Sequence, residues 1–376
     1  MKALVFERSL PRFAAAKVAG ALAPGRGAGP GPLRLTELDP PERPGWRRVR
    51  PRLSGICGSD LSTIDGTSSR YFEPIVSFPF VPGHEVVGDL DDGTRVVVEP
   101  VLHCAIRGID PACAACAAGL TNRCERVAFG HLEPGLQTGF CEDTGGGWST
   151  AMVAHDLQLH AVPDDFTDEM AVMVEPTACA VHAAAAVGEG DVVVLGAGTI
   201  GLCVIAALGD RSVVAAAKHP VQRDLAEDLG ATVCAPSEIE GVVRRRTRSM
   251  LIGDQLTGGA AAVVDCIGTA DSIQQALHLV APGGTVYVVG MPSTVSLDLT
   301  GLWHREVDIR GVYAYTHAEF ERAFAVVRER RLDRLVSATY PLHRWRDAIR
   351  HAAEAGRRGA VKVAFDLRDE KERERT

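Results

Sequence analysis

Over the first 160 or so residues the apolar positions fall in short runs, ALVF, WRRVRPRL, EVVGDL and RVVVEP, cut by Gly and Pro. Runs of that length bounded by turn residues predict strands joined by tight loops. The segment GALAPGRGAGPGP, residues 20–32, predicts an exposed loop. From about residue 165 the rhythm changes. DVVVLGAG, SVVAAAK, AAVVDCIG and GGTVYVVGM have strand length, and TIGLCVIAAL, QRDLAEDLG and SIQQALHLV between them have helical spacing. Strands alternating with helices predict a parallel sheet with helices on both faces. After about residue 305, RGVYAY, a helix through EFERAFAVVRER and the run AVKVAFD return to a mixed pattern. The expected fold class is α/β: a β-rich segment over 1–162, a doubly wound parallel sheet over 163–305 and a mixed segment over 306–376.

Length supports that division, since 376 residues exceed what one ordinary core holds. Forty Lys and Arg against 48 Asp and Glu give a net charge of −8, which argues against nucleic acid as a partner. MKALVFERSL enters a strand and lacks the basic start and long apolar run of a signal peptide. TACAVHAAAAV, residues 177–187, is too short to span a membrane. A cytoplasmic location is therefore expected, where thiols stay reduced.

Reduced thiols give meaning to CAIRGIDPACAACAAGLTNRC, residues 104–124. Cys113 and Cys116 form a compact clamp, with Cys124 after it and Cys104 before it. Four thiolates suit a tetrahedral Zn²⁺ with a closed shell, a site that holds shape and does no chemistry. The long spacing from Cys104 leaves two candidates for the fourth ligand, Cys104 itself or Asp110.

A second donor set has a different character. GICGSD (55–60) supplies Cys57, PGHEVVG (82–88) supplies His84 and Glu85, and VEP (174–176) supplies Glu175. A thiolate, an imidazole and carboxylates, with three protein ligands and an open position, make the usual form of catalytic zinc. Asp60 is a candidate to accept the other ring N–H of His84 and fix its tautomer.

Gly196, Gly198 and Gly201, with Thr199 and Ile200 between the last two, form a G-x-G-x-x-G turn after an apolar strand and before an apolar helix. That context is what dinucleotide binding requires: a tight turn, close approach of a pyrophosphate, and close helix–strand packing at a helix N-terminus. The next strand ends in Ala217, Lys218 and His219, with Arg223 a turn later. NAD sites usually place an acid there. Its absence beside these cations favours NADP(H), with NAD(H) as the alternative. Gly268 and Gly290 follow strands of the same sheet and are expected to line the cofactor site.

Together these motifs resemble the medium-chain, zinc-containing alcohol and polyol dehydrogenases, in the family's order over nearly the whole chain. The resemblance implies a GroES-like catalytic domain built from both chain ends, a Rossmann domain inserted between, and a homodimer or homotetramer. It implies one catalytic and one structural zinc. By position, Cys57, His84 and Glu175 would ligate the catalytic zinc, with Glu85 beside it and able to ligate in some states. Ser59 would touch the substrate oxygen and relay its proton. Position 62 is Ser where some alcohol dehydrogenases relay protons through a histidine. Cys104, Cys113, Cys116 and Cys124 would form the structural lobe. Thr177 is a candidate to pack near the nicotinamide. The implied activity is hydride transfer between NADP(H) or NAD(H) and an alcohol or carbonyl, with a polyol, sugar or cyclitol among the candidates. Two rival readings remain: a zinc-free quinone or enoyl reductase, and a non-catalytic nucleotide-binding redox sensor.

Overall fold

The structure is a computed structural model and describes residues 1–368. It divides into two compact units, Met1–Glu175 with Tyr315–Thr376, and the inserted Pro176–Ala314. Both crossings lie somewhat later in the chain than the changes of rhythm near residues 163 and 305.

The inserted unit is built on six parallel strands: Val192–Leu195, Val213–Ala216, Thr232–Cys234, Ala260–Asp265, Val280–Val288 and Asp308–Gly311. They lie in the order third, second, first, fourth, fifth, sixth, the doubly wound arrangement of dinucleotide-binding sheets. All four residues of Val192–Leu195 and of Val213–Ala216 are buried. That is why these strands read as unbroken apolar runs: a parallel sheet is covered on both faces. Val193, Leu195, Val214, Val263 and Val286 form a core with Ile239, Val243, Ala276 and Leu277 from the helices Ile239–Thr247 and Ala270–Leu279.

The first unit is β-rich. Its seven-stranded sheet runs Val336–Pro341, Lys362–Asp366, Arg47–Gly55, Val86–Leu90, Arg95–Val98 and Leu159–Ala161, and Met152–Ala154 also pairs with Arg47–Gly55. The two strands that follow residue 315 thus complete a sheet begun near the N-terminus. One core of this unit gathers Leu4, Phe6, Phe80, Trp148 and Phe365, and a second gathers Val49, Val86, Val96, Val98 and Met152.

The segment 20–32 is a loop beyond residue 22, exposed at Pro24, Arg26, Gly29 and Pro30 but buried at Gly25, Gly27, Ala28, Gly31 and Pro32. The helix Leu10–Leu22 runs into it and Arg26–Ala28 forms a single tight turn. Gly25 and Gly27 donate their N–H groups to the Asp65 carboxylate at 2.7 and 2.9 Å. A Cβ on Gly27 would lie 2.4 Å from the Ile64 carbonyl oxygen. The glycines here serve close packing against a buried acid, which composition cannot distinguish from looseness.

Candidate metal centres and dinucleotide site

In the first unit, the strand Arg47–Gly55 ends beside the start of the short helix Gly58–Ile64, and Cys57 is that helix's N-cap. The Cys57 N–H donates to Asp60 Oδ2 at 3.0 Å, which fixes the turn. His84 and Glu85 immediately precede the strand Val86–Leu90. His84, Glu85, Asp60 and Glu175 are all buried, at 3, 1, 2 and 5% exposure. His84 lies beside the Cys57 sulfur and feels the charges of Asp60 and Glu175. Ser59 is half-buried in the first turn of the same helix, and its carbonyl accepts the Thr63 hydroxyl.

Two residues absent from the sequence reading complete this pocket. Tyr315 donates its hydroxyl to Glu175 Oε1 at 3.0 Å and is wholly buried. Lys362 pairs with Glu85 Oε2 and donates to the Ile56 carbonyl at 3.3 Å. Gly55 makes room for that pair, since a Cβ there would overlap the Glu85 carboxylate. Glu85 is therefore turned to an ammonium. A lysine within the apolar run AVKVAFD was the available sign of Lys362, because a charge in a core strand needs a buried partner.

The electrostatics follow from burial. Burial alone would lower the His84 pKa, but Asp60, the Cys57 sulfur and Glu175 outweigh it, and the ring is held well above its ordinary value. Burial pushes the Glu175 carboxyl up to about 7 against the pull of His84, the Tyr315 hydroxyl and Lys362. Burial also raises Asp60. His84 Nδ1 and Asp60 Oδ1 face each other at 3.6 Å, and neither has a hydrogen-bond partner. Three carboxyl groups and a thiol thus share a buried space with one permanent cation, Lys362. Such a pocket calls for further positive charge, and its mixed sulfur, nitrogen and oxygen donors fit Zn²⁺.

The cysteine lobe is drawn tighter. The ligand atoms of Cys104, Cys113, Cys116 and Cys124 all lie within 4.8 Å of one another. Cys104 Sγ is 3.7 Å from Cys124 Sγ and accepts the Cys113 N–H at 3.4 Å, so Cys104 reaches the cluster and Asp110 is not in it. The backbone N–H groups of Cys116 and Glu125 oppose the effect of burial at Cys113 and bring that thiol down to about 6. Four converging thiols fit a closed tetrahedral zinc shell. Arg107 is wholly buried behind them, donating to the carbonyls of Leu102, Phe129, Leu132, Glu133 and Gly135. One other donor group among the described residues is as compact, Glu99 with His160 and His317; Cys57, His84 and Glu175 do not form a third at that spacing.

In the inserted unit, Gly196 has φ +88°, and a Cβ on Gly201 would lie 1.8 Å from the Gly196 carbonyl oxygen. Gly198 has nothing within 4 Å of where its Cβ would be, leaving the backbone open to a ligand. Thr199 and Ile200 open the helix Thr199–Leu208. The open backbone at a helix N-terminus fits a pyrophosphate. Gly268 and Gly290 abut, a Cβ on Gly268 lying 2.6 Å from the Gly290 carbonyl oxygen. Asp265 builds this corner and also escaped the sequence reading. Its carboxylate accepts the N–H groups of Ile267 and Gly268 and the Ser272 hydroxyl. Lys218 is exposed, and His219 caps the helix Pro220–Asp228. Arg223 donates its Nε to the Ala217 carbonyl at 2.9 Å, which ties the guanidinium to the strand end. Thr177 is buried, with its hydroxyl on Cys203 Sγ at 3.7 Å.

Comparisons with known proteins agree with this architecture. The alcohol dehydrogenase GroES-like domain matches residues 43–164, and the zinc-binding dehydrogenase domain matches residues 195–329. A putative D-xylulose reductase of Agrobacterium fabrum is 30% identical over 78% of this chain and 83% of its own. The L-idonate 5-dehydrogenase of Vitis vinifera is 27% identical over 85% of this chain and 87% of its own. Among solved structures, a putative zinc-binding dehydrogenase from Sinorhizobium meliloti bound to NADP superposes with a TM-score of 0.72, at 23% identity over 97% of this chain and 98% of that one. No helix among the described residues is long and apolar enough to cross a membrane. The chain belongs to the medium-chain, zinc-containing alcohol and polyol dehydrogenase family, and it is a zinc-dependent, NAD(P)-dependent oxidoreductase.

Proposed function

We propose that the enzyme interconverts a polyol and its ketose with NADP(H), using Cys57, His84 and Glu175 to hold the catalytic zinc. The observation that carries the metal assignment is the buried anionic pocket around His84, with the facing Nδ1 and Asp60 Oδ1 atoms that lack hydrogen-bond partners. When bound, the zinc would supply Lewis acidity at a substrate oxygen, and the nicotinamide would exchange a hydride with the adjoining carbon.

The protein's own groups do the rest. Asp60 orients the His84 ring and favours the tautomer that leaves the other nitrogen free to ligate. Tyr315 holds the Glu175 carboxylate, and Lys362 neutralises Glu85. The Ser59 hydroxyl, two residues past Cys57, carries the substrate proton outward. Gly196, Gly198 and Gly201, with Thr199 and Ile200, receive the pyrophosphate. Gly268 and Gly290 line the cofactor site. Lys218, His219 and Arg223 would hold a 2′-phosphate and set the preference for NADP(H). Cys104, Cys113, Cys116 and Cys124 hold the structural zinc. The polyol class is supported by the xylulose, idonate and sorbitol enzymes among the relatives. A cytoplasmic dimer or tetramer fits the same reading.

The test is a panel of polyols, ketoses, simple alcohols and aldehydes, each assayed with NADP(H) and NAD(H), alongside metal analysis. Polyol oxidation with NADP and two zincs per chain is the expected result. Reduction of C=C bonds by a protein with zinc at the cysteine lobe alone would overturn it, and so would nucleotide binding with no turnover on any substrate.

A further inference from the structure

Glu99, His160 and His317 form a second compact donor group in the first unit, apart from both metal centres described above. Glu99 closes the strand Arg95–Val98 and is 3% exposed. His160 lies on the neighbouring strand Leu159–Ala161, paired with Val97. His317 opens the helix Glu319 belongs to, His317–Arg330, more than two hundred residues away in sequence.

The two imidazoles converge on one carboxylate oxygen, and the three donor atoms lie within 4.8 Å of one another. His160 Nε2 lies 2.9 Å and His317 Nδ1 2.8 Å from the same oxygen, Glu99 Oε2. Each ring is set by its surroundings. His160 packs at 4.6 Å between ring centroids on the buried Phe320, and at 5.1 Å on His317 itself. His317 is 54% exposed at its side chain, which opens the point to solvent. The two imidazoles are the partners of this carboxylate among the described residues, and no Lys or Arg pairs with it.

We propose that Glu99, His160 and His317 bind a third divalent transition-metal ion, of the Zn²⁺, Co²⁺ or Ni²⁺ class, with an open position toward solvent. Two imidazole nitrogens and a carboxylate oxygen are a common donor set for such ions, at bonds of about 2.0–2.2 Å. Tetrahedral bonds of that length set neighbouring donors roughly 3.3 Å apart. The two nitrogen–oxygen separations, now 2.8–2.9 Å, need to open by about half an ångström, and the two nitrogens, within 4.8 Å of each other, need to sit at the same spacing. An ion there also meets a buried carboxylate that lacks a permanent cation. Its role is a pin: it would tie the segment beginning at Tyr315, whose hydroxyl holds Glu175, to the strands Arg95–Val98 and Leu159–Ala161. The site stands whether or not the substrate assignment holds.

Enzyme brought to two zincs per chain, the third position emptied by dialysis against a weak chelator, is titrated with Co²⁺ and followed by calorimetry and by the visible absorption of bound cobalt. The expected result is one further equivalent per chain in the wild type, with the spectrum of a mixed nitrogen–oxygen site. His317→Ala and His317→Gln each lose that equivalent, or bind it at least tenfold more weakly, and keep two zincs. His317 is half-exposed, so both variants should fold, and unchanged thermal unfolding without added metal verifies it. Glu321→Gln, at an exposed neighbour 3.6 Å from His317 Nε2, retains the equivalent. No further equivalent in the wild type, or an equal one in both His317 variants, would overturn the proposal.

Discussion

Tyr315 donates its hydroxyl hydrogen bond to Glu175 across 3.0 Å, and the two are the residues at which the chain leaves and re-enters the first unit. The bond orients a carboxylate that burial otherwise drives toward its neutral form. Tyr315→Phe keeps the ring and removes the donor. Zinc affinity at the Cys57–His84–Glu175 site should fall about 10–100-fold, the usual cost of removing an outer partner of a metal ligand. Chelator competition measures it, and cofactor binding should be unchanged.

Loss of a proposed primary ligand should be more severe. Cys57→Ser and His84→Ala should abolish turnover and leave dinucleotide binding largely intact. Fluorescence titration of the folded variants with NADPH checks the second half of the statement. Failure of His84→Ala to bind the dinucleotide would contradict the role given to that residue.

Metal uptake should depend on pH with a definite sign. In the proposed ligation, zinc would compete with protons for Glu175, held at about 7, and for His84, held above its ordinary value. Raising the pH of the metal-stripped enzyme from about 6 to 8 strips the proton from Glu175 and strengthens binding, with proton release on uptake. Acidification through the same range weakens it. Glu175→Gln should bind more weakly throughout and show a shallower slope, measured by chelator competition at each pH.

At the lobe, Cys104→Ser should release one zinc per chain and lower the melting temperature, whereas Asp110→Asn should do neither. A loss of about 2 kcal/mol would move the transition by roughly 4–8 °C in a unit of this size. Metal analysis and calorimetry together separate these outcomes.

Cofactor choice should rest on the cations after the second strand of the inserted sheet. Arg223→Ala removes a charged hydrogen-bonding group worth about 1.5–3 kcal/mol. The KM for NADPH should then rise roughly 10–100-fold, with NADH little affected. An equal effect on both cofactors would assign Arg223 only its contact with Ala217.

What could be read from the sequence was local. Gly196 to Gly201 spells a turn whose geometry needs those residues, and the cysteines between 104 and 124 lie close along the chain. The ligand candidates Cys57, His84 and Glu175 also stood out, each inside a short motif. Their partners did not, because the contacts are long-range. Tyr315 is 140 positions from Glu175, and His317 is 218 from Glu99. No periodicity links such pairs; only the folded sheet does. The stretch at 20–32 reads as an exposed loop and is mostly turn and bend, but Gly25, Gly27, Ala28, Gly31 and Pro32 are buried, because Asp65 binds the N–H groups of Gly25 and Gly27.

Arg107 has a bearing on how the cysteine lobe acquires its ion. One guanidinium gathers carbonyls from residue 102 and from 129 to 135, so it closes the loop from behind without using any sulfur. Arginine keeps its charge at any ordinary pH, so that closure does not depend on an ion at the thiols. Chelation should then leave the loop closed at Arg107 and ready to reload, measured as full zinc uptake on adding metal back.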